Sequence, residues 1–208
     1  MTSFEQLTQE MLQLTPFRIR YKNESWEMQL LGAFSYPFCP TFLTNYTTVI
    51  GSTIYFPSRE YMRQHSDRAA QLLAHEMVHL LDAEGVSEAV FLSSYMFPQI
   101  LFLGIFSFPW LGWWALLFLL FLLPIPAPFR FYFESRAFAM DVLTADPSER
   151  EHVLNWAVAQ FSDWGYYKMF PFEKLARKMI NYWVQQAEEG KDQVLLKVLL
   201  TYEMALES

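Results

Sequence analysis

Hydrophobic and polar positions follow the helical period along most of this chain, and follow no period at all in one long stretch. Apolar residues at Phe4, Leu7, Met11, Leu12 and Leu14 predict a first helix over residues 3–14, ended by Pro16. Residues 17–21 alternate apolar with basic and predict a short strand. Trp26, Met28, Leu30 and Leu31 predict a helix over 24–34, and Pro37 and Pro40 mark a loop. Residues 47–56 are rich in β-branched and aromatic side chains and are closed by Pro57, which predicts a strand. A helix follows over 66–84, with Ser66 or Asp67 as its cap and Gly85 as its end. Residues 131–143 predict another. Asp146-Pro147-Ser148-Glu149 has the pattern of a helix start, predicting a helix over 147–161. An aromatic loop and two amphipathic helices, about 172–189 and 191–206, complete the chain around Gly190.

The aperiodic stretch runs from Ala89 to Phe129 and contains no charged residue. It is twice the roughly 20 residues that one membrane span needs. Phe108-Pro109-Trp110-Leu111-Gly112 interrupts it, which predicts a transmembrane helical hairpin over 89–129. Each limb would have about 18 residues and measure about 27 Å. Trp110, Trp113 and Trp114 belong near an interface. Leu116–Leu123 is apolar all round a helix, which disfavours a buried core hairpin. Pro98, Pro124, Pro126 and Pro128 leave room for a shallower one. The hairpin tip lacks Lys and Arg, whereas Arg130 and Arg136 flank its exit, which places both hairpin ends on the cytoplasmic side.

Composition agrees with membrane contact: 53% of residues are hydrophobic, 18% aromatic and only 18% charged. The net charge of −7 argues against nucleic acid as a partner. A single cysteine, Cys39, allows neither an internal disulfide nor a cysteine-based metal site. The polar, mixed-charge N-terminus shows no secretory signal. The fold class expected is α+β, mostly α, in one membrane-anchored domain over 1–208, with 147–208 as its C-terminal helical part.

The chemistry lies in His75-Glu76-Met77-Val78-His79. Histidines four apart on a helix share one face and can aim both imidazoles at one zinc ion. Glu76 lies one residue round, within reach of a metal-held water, where a general base belongs. A catalytic zinc takes a third protein ligand, and Glu134, just past the apolar run, is the natural one. Ala137, one turn after Glu134, would let the two helices approach closely. Asp141 could hydrogen-bond a ligand histidine. Asp82 could do the same or stand in solvent near its helix end. Tyr132, Arg136, His152, Tyr166 and Tyr167 are the candidates to steady an oxyanion.

With His75, Glu76, His79 and Glu134 named, the chain resembles the gluzincin metallopeptidases, which use HExxH and a glutamate from a later helix. A metzincin would need a ligand six residues after His79, where this chain has Gly85. The motif and the glutamate are 134 − 79 = 55 residues apart, with the apolar hairpin between them. That layout is similar to the HtpX-like membrane peptidases, and Glu134-Ser-Arg-Ala137 to their Glu-x-x-Ala pattern. Two features differ: Phe138 stands where that family has an aspartate, and residues 1–88 hold no earlier span. The likeness covers about residues 47–145.

It implies a zincin-like core of edge strand, HExxH helix and glutamate helix. It also implies a zinc-dependent endopeptidase with metal ligands His75, His79 and Glu134, and Glu76 as base. The 47–56 strand would hold an extended protein or peptide substrate at the cleft rim. A lipid bilayer is the other expected partner, and a bacterial inner membrane the expected location. Two rival readings are an inactive membrane scaffold with this fold and a zinc hydrolase of a lipid-linked substrate.

Overall fold

The computed structural model describes residues 3–36, 39–164 and 168–207. Helix α1 (Ser3–Leu14) buries Leu7 and Met11, four apart on one face. Strand β1 (Arg18–Tyr21) follows, then a 3-10 turn at Lys22–Glu24, helix α2 (Trp26–Ser35) and the short α3 (Phe42–Asn45). Pro37 lies outside the described residues.

The single strand expected over 47–56 is a hairpin of β2 (Thr48–Ile50) and β3 (Thr53–Phe56), with Ile50 opposite Thr53. Gly51 makes the turn at φ +58°, the left-handed conformation that tight hairpin loops require. β3 is the middle strand, parallel to β1 and antiparallel to β2. It is therefore hydrogen-bonded on both sides, and of the two edge strands β2 is the one packed against the histidine-bearing helix.

Helix α4 (Arg59–Gln64) is capped by Ser58, whose hydroxyl accepts from the Tyr61 N–H. Helix α5 (Ser66–Val86) begins one residue after α4 has ended, which leaves His65 as its cap residue and puts Ser66 and Asp67 in its first turn. Gly85 does not end it; the helix closes at Ser87, with φ 99°.

After α6 (Glu88–Tyr95), the apolar run forms two 3-10 limbs, Gln99–Ser107 and Gly112–Leu122, joined by α7 (Phe108–Leu111). By length and composition Gln99–Leu122 would suffice to cross a membrane as one helix. Instead it folds back on itself. The Phe118 ring lies on Gly104, where a methyl group would collide, and the Gln99 amide donates to the Ile125 carbonyl at 3.0 Å. Limbs of 9 and 11 residues reach only about 18 and 22 Å at the 3-10 rise, short of a hydrocarbon core of about 30 Å. They fall short of the expected 18-residue limbs because α6 takes the first residues, and Pro98 and Pro124 bound the rest. The hairpin protrudes from the protein. Trp110, Trp113 and Trp114 are 82%, 78% and 74% exposed.

Helix α8 (Pro128–Leu143) returns and packs across α5, buried along most of its length. Helix α9 (Arg150–Gln160) starts later than expected. Asp146 accepts from the Ser148 N–H at 2.9 Å and from its hydroxyl, which closes a turn rather than capping a helix. Helices α10 (Glu173–Glu188) and α11 (Gln193–Glu207) are parted by Gly190 at φ +69°. One hydrophobic core joins α1, β3, α5, α8 and α11. A second joins α8, α9 and α10, so α8 belongs to both. The protein is thus mostly helical, with one small sheet beside the helix that carries the histidines.

Candidate metal centre

The helical period of α5 sets His75 and His79 one turn apart, both buried, with ring centroids 5.2 Å apart. Helix α8 crosses this face with Ala137 fully buried in the contact, which brings Glu134 against the imidazoles. Glu134 Oε2 lies 3.9 Å from His75 Nε2 and 3.9 Å from His79 Nε2. The same oxygen is buried without a hydrogen-bond partner among the described residues. An ionised oxygen so enclosed is costly unless a cation meets it. The edge of a coordination tetrahedron with bonds of about 2.0–2.1 Å is about 3.3 Å long. The three donor atoms lie within 4.8 Å of one another, so a closure of about half an ångström on the two 3.9 Å edges, with the imidazole pair drawn in as well, would let all three reach one ion. Two imidazole nitrogens and a carboxylate oxygen are a donor set that zinc accepts, so these residues fit a divalent ion.

Asp141 lies two turns along α8 from Glu134. Its Oδ2 is 3.1 Å from His75 Nδ1, which fixes the ring so that Nε2 faces Glu134. His79 is held instead by aromatic rings, with Phe91 and Tyr95 centroids at 6.2 and 6.0 Å. Burial opposes charge on His75, but the Asp141 carboxylate, with Glu76 and Glu134 adding to it, outweighs burial and raises that imidazole to about 9. Burial without such a partner lowers His79 to about 4. An arriving cation would therefore have to displace the His75 proton.

Glu76 is buried too. Its enclosure pushes the carboxyl up to about 7, against the pull of His75. It lines a cavity of about 80 Å³ together with Asn45, Thr47, Tyr61, Arg68 and His75, enough for several waters. Thr47 leads directly into the edge strand β2, which places the cavity beside that edge; of the three candidate ligands only His75 lines it.

His75, Glu76, His79, Glu134 and Asp141 thus come together as the spacing suggested. Asp82 does neither thing expected of it. It is buried and paired to Arg136, whose other nitrogen holds both Asp192 oxygens at 2.9 and 2.8 Å. The start of α11 carries Asp192 to that point. Arg136 is thereby committed to joining three helices and is withdrawn from the oxyanion role. Tyr132 is 40% exposed and sits edge-on to Trp183, while His152 is exposed on α9. Tyr166 and Tyr167 lie outside the described residues.

Two residues at the site were not foreseen. Tyr95, inside the apolar run, donates its hydroxyl hydrogen to Glu134 Oε1. Lys22 is fully buried, donates to the Phe42 carbonyl at 2.9 Å and lies 3.7 Å over the Phe42 ring. Burial lowers its ammonium to about 7, and its charge acts on Glu76 through space, favouring the carboxylate.

Comparison with known proteins adds no relative: no family, no curated protein and no solved structure matches the chain.

Proposed function

We propose that this protein is a membrane-anchored, zinc-dependent endopeptidase of gluzincin type, built on a zincin-like core. The observation that carries this reading is Glu134 Oε2, buried at equal distance from two imidazole nitrogens with no hydrogen-bond partner among the described residues, and with a buried glutamate beside the first histidine on the same helix. His75, His79 and Glu134 would hold the ion. When bound, zinc would supply Lewis acidity and lower the pKa of a water to about 7. Glu76 takes a proton from the water whose oxygen adds to the scissile carbonyl, and delivers that proton to the amine as the C–N bond breaks. Asp141 holds His75 in register. The free edge of β2 pairs with an extended substrate through main-chain hydrogen bonds.

The exposed apolar hairpin supports insertion into one leaflet of a bilayer, which confines the cleft to membrane proteins and juxtamembrane segments as substrates. Arg130 at the hairpin base, with no Lys or Arg at the tip, supports a cytoplasmic site in a bacterial inner membrane; Arg136, buried between Asp82 and Asp192, takes no part in that. The acidic net charge supports the exclusion of nucleic acid.

Metal dependence tests the reading. The purified protein in proteoliposomes should cleave membrane-anchored reporter polypeptides, lose that activity on chelation and regain it on adding zinc. Cleavage undiminished by ion removal would overturn the metal mechanism. Reporters left intact throughout would favour the scaffold, or the lipid-linked hydrolase if a lipid-linked substrate were consumed instead.

A further inference from the structure

The two oxygens of Glu134 keep different company. Oε2 has no hydrogen-bond partner among the described residues and faces both histidines, whereas Oε1 accepts the Tyr95 hydroxyl. Tyr95 closes α6, immediately before the apolar hairpin. Its ring stacks on Phe91 at 5.7 Å and stands edge-on to His79 at 6.0 Å. The Arg130 guanidinium carbon, from the other end of the hairpin, is 5.1 Å from the ring centroid. The phenol is thus packed against two rings and a guanidinium, with its hydroxyl directed at a single carboxylate oxygen.

We propose that Tyr95 is a positioning residue that makes Glu134 a one-oxygen ligand. A carboxylate can approach a divalent ion with one oxygen or with both. A glutamate that used both would occupy the position that a catalytic zinc keeps open for water. The hydrogen bond to Oε1 stops the carboxylate from turning face-on and withdraws electron density from that oxygen, leaving Oε2 to the ion. Hydrogen bonds of this outer kind orient ligands and tune affinity. The arrangement also links the hairpin to the chemistry. The segment that enters the hairpin carries the hydroxyl, and the segment that leaves it carries the carboxylate.

This proposal rests on His75, His79 and Glu134 being a metal centre, and cobalt(II) separates the two ideas. The full chain, purified in detergent, is titrated with cobalt(II) against a competing chelator while the ligand-field absorption is recorded. The wild type should bind the ion with the strong absorption of a four-coordinate site. Tyr95→Phe, which removes one oxygen and keeps the ring, should bind about 10- to 100-fold more weakly. Its absorption should weaken towards a five-coordinate spectrum. Equal affinity and an identical spectrum in Tyr95→Phe would overturn the positioning role and leave the metal centre standing. No cobalt binding by the wild type would remove both. Should Tyr95→Phe not fold, X-ray absorption at the zinc edge of the wild type decides alone: a one-oxygen carboxylate supports the role, and a two-oxygen carboxylate overturns it.

Discussion

Glu76→Gln is expected to lower peptide cleavage by roughly 10²- to 10⁴-fold, the range that a positioned general base supplies. The amide has nearly the shape of the carboxylate and fills the same buried place, but it cannot take a proton from water. Glu76 belongs to none of the ion's donors, so the variant should keep its zinc. It should also bind substrate as before, because the β2 edge and the cavity wall at Asn45 and Thr47 are unchanged. The loss should therefore fall on kcat rather than KM. Initial rates on one reporter, with zinc content measured on the same preparations, check this. Undiminished kcat in the Glu76→Gln enzyme would remove Glu76 from the chemistry.

Arg136→Leu is expected to destabilise the protein by about 3–5 kcal/mol near neutral pH, the cost of breaking a buried ion pair from one side. Arg136 joins Asp82 on α5 to Asp192 at the start of α11, and its guanidinium carbon lies 5.2 Å from the Trp183 ring centroid. Leucine leaves both carboxylates without a counter-charge. Burial already raises Asp82 to about 6 even though Arg136 pulls the other way. An acid whose folded-state pKa is raised stabilises the fold at low pH, and that contribution is lost as pH rises through the raised value. Removing Arg136 raises Asp82 further. The deficit should therefore be smaller at about pH 4, where Asp82 carries its proton in the fold, and should grow as pH rises through about 6, by about 1.4 kcal/mol for each further pH unit until the variant's own Asp82 ionises. Urea unfolding of both proteins at about pH 4 and about pH 7 measures it. A pH-independent deficit would mean that lost packing on Trp183, not lost charge, is responsible.

What was legible in the sequence is what local periodicity encodes. The four-residue spacing of His75 and His79 needs only a helix to put both rings on one face. Glu134 stood out because an acid beside a long charge-free run needs a partner, and Asp141 follows it on the same face. The residues that were not legible depend on where the chain turns. The alternation of β1 would send Lys22 outward with Arg18 and Arg20, but the 3-10 turn at Lys22–Glu24 rotates it into the interior. Gly51 hid a hairpin inside a β-branched run that reads as continuous. Tyr95 had the composition of a lipid-facing residue, and only the return of α8 shows that its hydroxyl meets Glu134. The pairing of Asp82 with Arg136 is hidden for a similar reason: their third partner, Asp192, lies 56 residues beyond Arg136 in the chain.

The proposed chemistry depends throughout on a divalent ion joining α5 to α8. Elemental analysis of the purified full chain, beside Glu134→Ala prepared in the same way, tests that most directly. The expected result is about one zinc per wild-type chain and little or none in the variant. A zinc-free wild type, or equal zinc in both proteins, would contradict it.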